Sequence, residues 1–189
     1  MNSYRVNEIF YSLQGEGAYT GTPMVFVRFS GCNRACVFCD TEFDEYTLMT
    51  AGEIVDEAGR YGCHRVVLTG GEPLLQVDAE LIERLHDAGL IIHIETNGTL
   101  PVPEGIDWVT CSPKDDVPAI QLERVNEVKV VYRGQNAAQL DRIMRFFPHE
   151  TLFFLQPCSG LNIDETVARV LSLPKWRLSL QIHKLIDIQ

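Results

Sequence analysis

No run in the 189-residue chain approaches the roughly 18 to 20 consecutive apolar residues that a membrane-spanning helix needs. Nor does it open on a secretion signal: MNSYRVNEIFYSLQGEG is polar and carries a glutamate where a basic flank and an apolar core would stand. The sequence therefore predicts a cytoplasmic protein without membrane contact. Positive charge is scarce as well, since 16 Lys and Arg against 26 Asp and Glu leave a net charge of −10. Such a balance repels phosphate backbones and anionic lipid, so nucleic acid is not an expected partner. Repeats, low-complexity tracts and linker-like segments are missing, and the length fits one domain, residues 1–189, able to bury a core without staples. The five histidines show no metal-ligand spacing, and His64, His86, His93 and His149 read as surface or packing residues.

What is present is a succession of short apolar runs: MVFVRFS at 24–30, RVVLT at 65–69, IIHIE at 91–95, DWVTC at 107–111, EVKVV at 127–131, TLFFLQ at 151–156 and RLSLQIH near the end. Nearly continuous apolar runs suit strands covered on both faces, hence a parallel sheet. Helical patterns lie between them. Thr50 and Glu53 form a capping-box signature; Asp78, Asn136 and Asp164 can open three further helices. The segment 99–106 is too short for a helix. Around 250 residues is typical of a full eight-fold barrel, so the expected fold is α/β, a shortened partial barrel of about six mainly parallel strands with few helices. Loops after parallel strands gather on one face, which should bring the polar and glycine-rich strand ends to a single site.

Of six cysteines, Cys32, Cys36 and Cys39 fall within GCNRACVFCDTEF. Cys63, Cys111 and Cys158 are far apart, and without an export signal they read as reduced, small buried side chains. The C-x3-C-x2-C loop can bind iron–sulfur corners or zinc. A structural zinc site needs a fourth ligand, for which Asp40 is the nearest candidate. Three thiolates on a four-iron cluster would instead leave one iron open, the position that metal catalysis requires.

This loop, with Phe38 before its last cysteine and GGEP at residues 70–73, resembles the cluster loop and second signature of the radical S-adenosylmethionine (SAM) enzymes. The further segments EIFYSLQGEG, FVRFSGCN, CDTEF, ETNGT, SPK and RLSLQIHK are similar, nearly end to end, to the 7-carboxy-7-deazaguanine synthase family. The resemblance implies ring contraction of 6-carboxy-5,6,7,8-tetrahydropterin with release of ammonia, in queuosine and 7-deazapurine biosynthesis. It implies a 4Fe-4S cluster on Cys32, Cys36 and Cys39, S-adenosylmethionine, and magnesium at Thr41. Substrate positions would be Leu13, Gln14, Gly15, Arg28, Thr96 and Gln189, the last through a terminal carboxylate, although LIDIQ departs from the family's ending. Cofactor positions would be Phe38, Cys39, Asp40, Gly71, Glu72, Gly98, Ser112, Pro113, Lys114 and Gln156. A homodimer and an electron donor such as a flavodoxin or ferredoxin follow from the same resemblance.

The residues themselves agree with a small, carboxylate-bearing ligand. Arg28 offers a planar fork at the end of an apolar strand, the Gln14 amide both donates and accepts, and Gly70 and Gly71 let a ligand approach the backbone. An activase that installs a glycyl radical on a partner protein, and a non-catalytic iron–sulfur or zinc module, are the competing readings. Anaerobic reconstitution is expected to load about four irons per chain, with a change in the cluster spectrum when S-adenosylmethionine is added. Stoichiometric zinc and no iron would reject the cluster.

Overall fold

A strand residue pair, one side chain up and one down, is the unit from which this fold is built. The computed structural model describes residues 2–39, 41, 42, 44–114 and 119–189. In chain order the elements are β1 (Ser3–Leu13), β2 (Pro23–Phe29), β3 (Thr47–Thr50), α1 (Ala51–Gly59), β4 (Arg65–Gly70), α2 (Ala79–Asp87), β5 (Ile91–Thr96), β6 (Trp108–Cys111), β7 (Glu127–Tyr132), α3 (Ala137–Phe146), β8 (Leu152–Pro157), α4 (Ile163–Leu171), β9 (Trp176–Leu178) and α5 (Ile182–Leu185). All described strands join one sheet in the order β3-β1-β2-β4-β5-β6-β7-β8-β9. From β2 to β9 every pairing is parallel; β1 runs antiparallel to both β2 and β3. The sheet keeps two edges, as a partial barrel must.

Alternation sorts each parallel strand into two faces. One face is apolar: Val25, Val27 and Phe29 of β2, Val66 and Leu68 of β4, Ile92 and Ile94 of β5, Val128 and Val130 of β7, and Phe153 and Leu155 of β8 join one buried cluster. Helices cover it, with Ile54 and Ala58 of α1, Leu81, Ile82 and Leu85 of α2 and Leu140 of α3 reaching the same cluster. The opposite face carries Arg28, His93, Glu95, Glu127, Lys129 and Gln156, and it points into the curve of the sheet.

Helix starts follow the expected caps. Thr50 Oγ1 accepts from Glu53 N at 3.3 Å while Glu53 Oε2 accepts from Thr50 N at 2.7 Å, closing the capping box of α1. Asp78 caps α2 through Leu81 N, and Asn136 with Gln139 forms a second capping box on α3. At α4 the cap differs: Asn162 holds the N-cap position and Asp164 sits inside the first turn. Asn162 spends its amide elsewhere, accepting from Cys158 N at 2.8 Å and donating to Tyr132 O at 3.0 Å.

Two strands lie outside the apolar runs. β1 mixes polar and apolar residues because only one of its faces is buried, and a register shift between Val6 and Glu8 interrupts its period. β3 is a four-residue edge with exposed Leu48. The last run, RLSLQIH, is a strand only to Leu178. There Ser179 N donates to Leu155 O, and Ile182 N donates to Gly15 O, which turns the chain into α5. Replacing Thr50 by Ala removes half of a capping box and should cost about 1 kcal/mol. A lower urea midpoint at an unchanged denaturant slope is the expected measurement.

Candidate active site

The strand ends and the chain's first and last segments enclose one open cleft of about 910 Å³, near the upper end of the ~300–1,000 Å³ range of small-molecule sites. Cys32, Cys36 and Cys39 line one part of it and Gln14, Arg28 and Gln189 another. All six cysteines are free thiols. Burial pushes the Cys111 thiol up to about 12, which leaves it inert, while Cys158 is half-buried and lines the cleft.

The cysteine loop is seated by backbone contacts that require glycine. A Cβ on Gly71 would lie 2.2 Å from Gly31 O and 2.9 Å from Cys32 Cβ. Gly70, at φ 127°, would drive one to 2.1 Å from Phe29 O. Gly71 N and Glu72 N then donate to Phe29 O and Gly31 O. The donor set fits a four-iron cluster: three reduced thiols face one cleft, and in such a cluster each thiolate meets a different iron. The tight convergence of a single-ion site is absent among the described residues. Arg133, just after β7, stands over the Phe38 ring at 4.2 Å and braces the loop from the far side.

Glu72 is fully buried and does not line the cleft. Its carboxylate accepts from Thr96 Oγ1 at 2.8 Å, Asn97 N at 2.7 Å and Leu74 N at 3.1 Å. Burial raises its pKa, and the donors from Asn97, Thr96 and Leu74 pull against that rise. The Thr96 hydroxyl also accepts from Gly98 N, and Asn97 Nδ2 donates to Asn33 Oδ1 at 2.9 Å, so β4, β5 and the cysteine loop end in one network.

The floor of the cleft is ionic. Lys129 is buried, pairs with Glu16, and lies 3.1 Å from Glu95 Oε2. Burial alone would lower the Lys129 pKa, but the carboxylates of Glu16, Glu95 and Glu127 overcome it and raise the pKa. For Glu16 the same contest ends the other way round, burial opposing and Lys129 lowering its pKa below the usual value. Glu127, pushed up to about 7 by burial, accepts from Ala18 N at 2.8 Å. Lys114, lowered by burial and by Lys129, donates to Ser112 Oγ at 2.8 Å.

At the rim, Arg28 Nε donates to Glu8 Oε1 at 2.7 Å, and its guanidinium stands 5.6 Å from the Phe10 ring centre. Gln189 closes this side: its Nε2 donates to Glu8 Oε2 at 2.6 Å, and its main-chain oxygen accepts from Ser12 Oγ at 2.5 Å. His183 presses on Gly15, where a Cβ would fall 2.0 Å from its Nδ1.

The cleft therefore gathers Leu13, Gln14, Gly15, Arg28, Thr96 and Gln189 together with Phe38, Gly71, Ser112, Lys114, Gln156 and Thr41. Glu72, Gly98 and Pro113 stand outside its lining, and Asp40 lies outside the described residues. Gly98, at φ 83°, instead packs where a Cβ would meet Cys111 Sγ at 2.7 Å. Sequence reasoning missed Glu8, Glu16, Glu95, Lys129 and Gln181. The available signal was charge at alternate positions of apolar strands, as in IIHIE and EVKVV.

The sequence profile of the radical SAM superfamily matches residues 26–147. The chain is 58% identical over 185 residues to the 7-carboxy-7-deazaguanine synthase of Bacteroides thetaiotaomicron, covering 98% of each protein. It is 42% identical to that of Bordetella pertussis, covering 98% of this chain and 99% of the relative. The crystal structure of QueE from Escherichia coli superposes with a TM-score of 0.80 at 30% identity, covering 94% of this chain and 93% of that one.

Beneath the cleft, His93 packs edge-on against Tyr19 at 4.6 Å and accepts from Arg65 Nη1 at 3.2 Å. Burial, and next the Arg65 charge, lower its pKa from 6.5 to about 4. The folded state thus refuses a proton that the unfolded chain takes below pH 6.5. Stability from this group is complete above that value and falls as pH drops toward 4, by roughly 3 kcal/mol. A His93→Gln variant should lack this part of the slope when unfolding free energies are compared between pH 7 and pH 4.

Proposed function

Because the chain belongs to the radical SAM superfamily and, within it, to the 7-carboxy-7-deazaguanine synthase family, we propose that its cleft converts 6-carboxy-5,6,7,8-tetrahydropterin to 7-carboxy-7-deazaguanine with loss of ammonia. The observation that carries this reading is one cleft lined by the three loop cysteines and by Gln14 and Arg28. When bound, a 4Fe-4S cluster and S-adenosylmethionine supply the radical chemistry. Cys32, Cys36 and Cys39 hold the cluster. The family resemblance assigns Phe38, Cys39, Asp40, Gly71, Glu72, Gly98, Ser112, Pro113, Lys114 and Gln156 to the cofactor, and Phe38, Cys39, Gly71, Ser112, Lys114 and Gln156 line the cleft.

Leu13, Gln14, Gly15, Thr96 and Gln189 hold the pterin ring and exclude water from it. Arg28 clamps the substrate carboxylate, its guanidinium already oriented by Glu8 and Phe10. Magnesium is assigned to Thr41 by the family resemblance, where the hydroxyl would be one ligand beside waters and substrate oxygens. Its role is to neutralise charge and template the substrate. The resemblance supports a cytoplasmic homodimer reduced by a flavodoxin or ferredoxin. No helix among the described residues is long and apolar enough to cross a membrane.

Anaerobic incubation with the carboxypterin, S-adenosylmethionine, magnesium and reductant should yield the deazaguanine by mass spectrometry. Failure by cluster-loaded protein would reject the reaction. Arg28→Ala should lower product formation about 100-fold, the size of a lost charge-assisted contact, while release of 5′-deoxyadenosine without substrate persists. Equal loss of both would remove Arg28 from the substrate site.

A further inference from the structure

Lys129 is a buried ionic anchor, with a side chain 4% exposed at the base of the cleft. Its two partner carboxylates each reach onward. Glu95 Oε1 accepts from Gln14 Nε2 at 3.0 Å, and Glu16 Oε1 accepts from Gln156 Nε2 at 3.1 Å and Gln181 Nε2 at 2.9 Å. An ionised carboxylate is acceptor-only, so it obliges each amide to turn its NH2 end inward. Gln14 Oε1 then accepts from Glu16 N at 3.2 Å, and Gln156 Oε1 accepts from Ser179 Oγ at 3.1 Å. Three glutamines from separate segments are in this way held in one orientation by a single ammonium.

We propose that Lys129 is a positioning residue that fixes the donor–acceptor pattern of the cleft floor, keeping Glu16 and Glu95 as acceptors so that the floor selects a ring edge carrying amino and N–H donors. This rests on the pterin reading above, whose substrate has such an edge. The charged groups facing the network are Glu16 beyond β1, Glu95 on β5, Glu127 on β7 and Lys114 after β6, with His183 of α5 acting on Glu16. Lys129 lowers the Glu16 pKa against the effect of burial, so without its ammonium Glu16 holds a proton at higher pH. A protonated carboxyl donates, and the pattern inverts.

The test compares wild type with Lys129→Gln, both loaded with cluster, reading substrate KM from pH 6.5 to 8.5 and 5′-deoxyadenosine release without substrate. The wild-type KM should vary much less than the variant's, its drift limited to the Glu127 carboxyl that titrates at about 7. The variant's KM should rise about tenfold at pH 6.5 and fall again toward pH 8.5 as the Glu16 carboxyl ionises, with release of 5′-deoxyadenosine retained. A flat variant KM, or equal loss of both activities, overturns the proposal. Should Lys129→Gln not fold, Glu95→Gln keeps the shape and removes the acceptor-only group: about a tenfold higher KM supports the proposal, and an unchanged KM overturns it. Absence of product from wild type would instead reject the substrate reading.

Discussion

The buried carboxylate of Glu72 is the contact on which the upper end of the barrel depends. It meets Leu74, Thr96 and Asn97 at once, while its own backbone N–H reaches Gly31. A carboxylate taken so far from water is tolerable only with several donors, and removing any one leaves the charge exposed to a low-dielectric interior. Loops from β2, β4 and β5 therefore have a single shared arrangement. The cysteine loop is positioned by that arrangement more than by its own residues.

Below that ring of loops, the strands divide their labour by parity. Residues of one parity build an apolar layer against α1 to α3, and residues of the other build an ionic layer lined by the protein's own first turn. The two layers constrain each other, because a one-residue slip would exchange Lys129 with Val128 or Val130 and send charge into the helical layer. Register in this sheet is thus enforced by electrostatics as well as by packing.

Much of this was legible in the residues. Runs such as RVVLT and TLFFLQ announced parallel strands, Thr50, Asp78 and Asn136 announced helix starts, and the cysteine spacing announced its loop. The antiparallel β1 was not, since SYRVNEIFYSL buries one face only and its bulge breaks the alternation. Asp164 was a reasonable cap on local grounds, yet Asn162 precedes it and was claimed by Tyr132 and Cys158. The GGEP motif marked Glu72 as a candidate ligand but did not announce its hydrogen-bond partners, which stand 24 and 25 positions away. The Lys129 floor required Glu16, Glu95, Gln156 and Gln181, residues that no local window contains.

Among the described strands, every neighbouring pair except β3 with β1 and β2 with β4 joins strands consecutive in the chain. A sheet of this kind can grow vectorially, each new strand docking on the edge left by the last. The contacts that finish the cleft are of the opposite sort. Gly17 to Ser179, Gln181 to Glu16, Ser12 to Gln189 and Gln189 to Glu8 span 162 to 181 positions. The sheet can thus be complete before the two ends of the chain meet, so the last contacts to form are those that complete the rim of the cleft.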